Sequence, residues 1–161
     1  MKHTFLNIPL LAAALAAPLL AMSDMAQAQT PASTSTMAPA MQSDALYKAL
    51  GEKAGLTLLM DDFMVRLLAD PRTGPFFKPV NQQHVKDMLV VQFCMVSGGP
   101  CTYKGVDMKT AHANMDITKG NFNALVEVLQ VSMDARGIPF SAQNELLAKL
   151  APMHRDVITV K

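Results

Sequence analysis

Apolar positions in the middle of the chain recur at helical spacing. Leu56, Leu59, Met60, Phe63, Met64, Leu67 and Leu68 fall at i, i+3, i+4, i+7 and onward, one face of a helix that Asp70-Pro71 must stop. A shorter helix precedes it, with Ser43 or Asp44 as N-cap and Leu46 and Leu50 on its inner side. Val85, Met88, Leu89, Phe93 and Val96 predict another helix, ended by Gly98-Gly99-Pro100. Thr118 then caps a helix carrying Phe122, Leu125, Val126, Leu129 and Met133 inward, and Gly137-Ile138-Pro139 closes it. A last helix starts near Ser141, buries Leu146, Leu147, Leu150 and Val157, and is kinked by Pro152. No strand pattern and no internal repeat is present, so the predicted class is all-α.

The first residues have a different character. Lys2 and His3 precede a nearly continuous apolar run from Phe5 to Leu20, and Ala26-Gln27-Ala28 offers a small-x-small cleavage site. Pro9 and Pro18 interrupt the run, which is shorter than the roughly 20 residues of a spanning helix. Residues 1–28 are therefore read as a signal peptide, with export to the periplasm, a mature start at Gln29 and no stable membrane span afterwards. Residues 29–42 are Pro, Ala, Ser, Thr, Gln and Met without charge or period, which predicts a flexible linker. Residues 43–161 then form one small domain.

Charge narrows the partners. The net charge is +1, with no Lys/Arg cluster and no basic stripe interleaved with aromatics, which argues against nucleic acid. Trp is absent while 13 methionines are present, a composition suited to a soft core or ligand pocket. Cys94 and Cys101 flank the Gly98-Gly99-Pro100 turn, which can bring them within disulfide reach; free thiols or a redox switch are the alternatives. Without Cys-x-x-Cys-His, c-type haem attachment is not expected.

A segment of about 20 residues between Gly98 and Thr118 lacks periodicity, and irregular stretches of that length in small domains are usually functional. His112 lies in it, beside Ala111, Ala113 and Met115. A neutral imidazole can ligate haem iron when its other nitrogen finds an acceptor, although an isolated histidine is more often a packed or surface residue. His154 is read as a surface residue and His84 as facing solvent or a haem propionate, unless a one-residue shift in the corner at Pro79 turns His84 into the pocket.

From Leu46 to Val157 the order of short segments resembles the group I truncated haemoglobins. Those segments are Asp62-Phe63, Val65 to Asp70, Phe76-Phe77, Gly98-Gly99-Pro100, Tyr103, Gly105, Met108-Lys109, Ala111-His112, Ile117-Thr118, Phe122, Gly137-Ile138-Pro139 and Leu150-Ala151-Pro152. The resemblance implies a two-over-two helical sandwich around haem b, binding a diatomic gas (oxygen, nitric oxide or carbon monoxide). It implies His112 as the proximal iron ligand, Phe77 wedged on the haem face beside Phe76, Met108 and Phe122 as apolar haem contacts, and Gly98-Gly99 as a hinge.

Two departures from the family pattern stand out. A glycine pair expected after the opening helix reads Gly51-Glu52. Met64 stands where relatives often have a tyrosine, and Val85, Met88 and Leu89 fill positions where they often have polar residues, so the distal wall reads as apolar. A charged hydrogen bond is worth about 1.5–3 kcal/mol, so a wall with no donor should release oxygen about one or two powers of ten faster. Stable oxygen storage and nitric oxide dioxygenation are then disfavoured, and no catalytic acid or base stands out for peroxidase-type chemistry. The alternatives are a six-coordinate His112/Met88 haem protein serving a redox partner in electron transfer or sensing, and a haem-free helical interaction module.

Overall fold

The computed structural model describes residues 43–160; the expected signal peptide, the expected linker and Lys161 lie outside the described residues. Eight α-helices follow in order: α1 Ala45–Ala49, α2 Glu52–Ala69, α3 Gly74–Phe77, α4 Gln82–Val96, α5 Met108–Ala111, α6 Lys119–Ala135, α7 Phe140–Leu150 and α8 His154–Val157, with a 3-10 turn Ala151–Met153 before the last. No strand occurs among the described residues. The helix α2 lies against α4 and α6, and α7 touches α1, α4 and α6, so α2 with α4 and α6 with α7 form the two-over-two sandwich.

The periodicity of α2 is also its burial pattern. Leu56, Leu59, Met60, Phe63, Met64 and Leu67 are buried and only Leu68 is half-exposed. All of these except Met64 and Leu68 form one core with Leu46 and Leu50 of α1, Val90 and Phe93 of α4, Leu129 and Met133 of α6, and Leu146 of α7. The expected stop at Pro71 is made by Asp70, which is extended (φ −76°, ψ 123°) because the following proline ring crowds helical backbone. The Gly51-Glu52 turn puts two successive residues in the left-handed region, at φ 79° and φ 57°. Glycine takes this without strain and Glu52 does not.

One expectation is narrowed and two are corrected. The first helix is capped by the Ser43 hydroxyl, which accepts the Ala45 N–H at 3.2 Å, while the side chain of Asp44, the residue at the N-cap position, makes no cap bond. On α6 the buried side is Ala124, Val128, Leu129, Ser132 and Met133, whereas Phe122, Leu125 and Val126 are half-exposed. That helix packs on both α2 and α7, so its covered face is broader than one stripe and turned away from Phe122. At Pro152 the last helix does not kink but ends; α7 stops at Leu150, a 3-10 turn intervenes, and α8 begins at His154. Proline has no N–H to donate back to the preceding turn, and tighter winding over Ala151–Met153 takes its place.

The segments flanking the irregular stretch are fastened individually. Gly98 sits at φ 88°, where a Cβ would stand 2.5 Å from the Ser43 carbonyl oxygen, so glycine is required on both counts. The Tyr47 N–H donates to the Ser97 oxygen at 3.1 Å, and Cys94 and Cys101 stand side by side with Cα atoms 5.7 Å apart, within disulfide reach. At the other end, Thr118 and Asn121 form a reciprocal capping box at the start of α6. The C-terminal tail closes beside it: the Thr159 and Val160 N–H groups donate to the Ile117 oxygen at 2.9 and 3.1 Å, and the Ile117 N–H to the Thr159 hydroxyl at 2.8 Å.

Candidate functional site

The helix α5 is one turn long and depends on its cap. The Asp107 carboxylate accepts the Thr110 N–H at 2.9 Å and the Thr110 hydroxyl at 2.7 Å, and these bonds hold the Asp107 pKa below the ordinary 3.8. The cap is thus charged at neutral pH. His112 is the residue at which α5 ends. Beyond it the chain turns back toward α6 through Asn114 and Asp116, both left-handed at φ 61° and φ 51°, and both of the residue types that tolerate that backbone best after glycine.

The imidazole of His112 is half-buried, and its Nδ1 lies 2.7 Å from the Met108 carbonyl oxygen one turn earlier. A carbonyl oxygen only accepts, so Nδ1 carries a proton, and in the neutral ring Nε2 keeps the lone pair. That is the state of a histidine prepared to ligate a metal through Nε2. Among the described residues no group of three His, Cys, Asp or Glu side chains converges to hold a bare metal ion. A lone imidazole suits iron that arrives already held by a macrocycle.

The surrounding residues fit such a group. Phe76 and Phe77 end α3, and α3 is set by the Thr73 hydroxyl donating to the Leu67 oxygen at 2.8 Å and by the turn before it, where Arg72 bridges Asp70 and Glu127 at 2.8 and 2.7 Å. Phe76, Phe77, Val85, Met88, Leu89, Met108 and Phe122 are all apolar and all half-exposed, while Met64 is buried. Phe77 and Leu89 lean on the edge of the core. Apolar side chains from four helices left incompletely covered are what a planar apolar group would cover.

The other two histidines among the described residues lie at the surface, as expected from the sequence. His84 is exposed, its N–H capped by the Asn81 side chain at 3.0 Å. His154 is also exposed, but its ring packs 6.3 Å from the Phe122 ring.

Sequence reasoning missed one polar residue. Gln92 is 7 % exposed on α4, one turn beyond Met88, and its Nε2 donates to the Met108 sulfur at 3.4 Å and to the Met153 sulfur at 3.3 Å. The signal was present: Gln92 is the lone carboxamide in the run from Met88 to Val96, and a buried amide must find partners.

Comparison with known proteins agrees with this geometry. The family model of bacterial-like globins matches residues 45–159. The chain is 31 % identical over 114 residues to a group 1 truncated hemoglobin of Mycolicibacterium paratuberculosis, covering 71 % of this chain and 84 % of that one. With the group 1 truncated hemoglobin of Synechocystis identity is 32 % over 123 residues, covering 70 % and 96 %. The crystal structure of the truncated hemoglobin from Tetrahymena pyriformis in its Fe(III) form superposes with a TM-score of 0.68 at 27 % identity, covering 70 % of this chain and 97 % of that one. This chain belongs to the bacterial-like globins, as a group 1 truncated haemoglobin with the two-over-two fold, a family that binds haem and diatomic gases.

Proposed function

We propose that the chain carries one haem b with His112 Nε2 on the iron, and exchanges a diatomic gas rapidly at the face lined by α4. The observation that carries this reading is the 2.7 Å contact from His112 Nδ1 to the Met108 oxygen, which leaves Nε2 as the free donor. Haem bound there supplies an iron with one further coordination position for the gas. The chain contributes the rest. His112 holds the ligating tautomer, Phe76, Phe77, Met108 and Phe122 cover the ring, and Met64, Val85, Met88 and Leu89 exclude water while offering no hydrogen-bond donor.

The test is the absorption spectrum of the reduced protein before and after carbon monoxide. A five-coordinate spectrum that converts fully to the carbon monoxide form supports the reading. A six-coordinate spectrum without added ligand overturns the open gas site, and its loss in Met88→Leu then assigns Met88 as the sixth ligand, the arrangement suited to electron transfer with a redox partner.

The site of action follows from the N-terminal pattern and from the pairing of Cys94 with Cys101, both suited to the periplasm. The mature protein should begin at Gln29 and be lighter than its reduced form by the hydrogens of two thiols. An intact mass retaining residues 1–28, or unchanged by a reductant, contradicts export with a closed disulfide.

A further inference from the structure

We propose that Gln92 is a positioning residue that keys α4 to the His112 imidazole through Met108, so that the wall facing the gas and the proximal iron bond are mechanically joined. The inference rests on His112 as iron ligand. A buried carboxamide normally seeks carbonyl or hydroxyl partners, and thioether sulfur is a weak acceptor. Gln92 nevertheless gives its Nε2 to two sulfurs, Met108 on α5 and Met153 on the 3-10 turn, and its Oε1 makes no hydrogen bond among the described residues. Leucine or methionine would fill the same volume without desolvating an amide. What the amide adds is direction.

Methionine has three rotatable bonds and fills space indifferently, but a donor aimed at its sulfur selects one arrangement. Met108 is held from both sides: its sulfur by Gln92, and its backbone oxygen by His112 Nδ1 at 2.7 Å. The path from α4 to the imidazole therefore has two contacts, both through one residue. The hydrogen bond at Nδ1 sets the orientation and basicity of a ligating imidazole, so whatever shifts Met108 changes the iron–histidine bond. The lack of a donor in the distal stripe gives this path its role, because α4 then affects the gas through the opposite side of the iron rather than by touching it.

The test uses the haem-loaded protein and three variants, Gln92→Leu, Met108→Leu and the double substitution. The iron–histidine stretching band is read by resonance Raman just after photolysis of the carbon monoxide form, and haem transfer to an acceptor protein gives the rate of haem loss. Gln92→Leu should displace the band and speed haem loss by about 2- to 10-fold, the range for one modest hydrogen bond. Met108→Leu should move the band in the same way from the other side of the contact, and the double variant should add nothing further. If both single variants leave the band in place, or if their shifts add, the coupling through Met108 is wrong while His112 ligation stands. A parent protein with no iron–histidine band removes the ligand assignment itself, and this inference with it.

Discussion

Replacing His112 by alanine should lower haem affinity by more than the roughly 10- to 100-fold that follows from losing an outer partner of a metal ligand, because here the ligand itself is lost. No second histidine is placed to take over: among the described residues His84 and His154 are exposed, and no group of three His, Cys, Asp or Glu side chains converges elsewhere. The fold should survive, because His112 is only half-buried and lies outside the core built around Phe63, Leu56 and Leu129. The remaining space should accept free imidazole, which restores the coordination and most of the affinity. Haem titration of the variant with and without imidazole checks this. Parent-like affinity and spectrum in the variant would remove His112 from the iron.

The second large effect concerns the opposite wall. Leu89→Gln puts an amide donor of similar length on the half-exposed face of α4 between Val85 and Phe93. If that face meets the gas, oxygen should dissociate about 10- to 100-fold more slowly, since a hydrogen bond to a charge-bearing acceptor is worth about 1.5–3 kcal/mol. Carbon monoxide, which gathers less negative charge, should respond much less. Gln92 does not already supply this bond, because its amide is turned to the sulfurs of Met108 and Met153. Stopped-flow displacement of oxygen by carbon monoxide measures the rate. An unchanged oxygen rate would mean that Leu89 does not face the gas, or that another donor is already present.

The long elements were legible because their signals are local. The stripe of α2 and its stop at Asp70-Pro71 depend on residues within a few turns of one another, as do the capping Thr118 and the turn at Gly98. His112 was legible only through the order of segments around it; its own neighbours in sequence say little, and the decisive Nδ1 contact runs to a backbone oxygen that no side-chain pattern encodes. Gln92 escaped notice because it meets its partners 16 and 61 positions away. Such contacts require knowing how α4, α5 and the turn at Pro152 meet. The inner face of α6 was misjudged for the same reason, since Ala124 and Ser132 are buried by the helices packed against them rather than by their own hydrophobicity.

The most direct measurement is a titration of the purified chain with haem, followed at the Soret band. The account predicts a sharp end point at one haem per chain and a ferrous spectrum of a histidine-ligated iron. Absorbance that rises without saturating, or saturates with the spectrum of free haem, would contradict it.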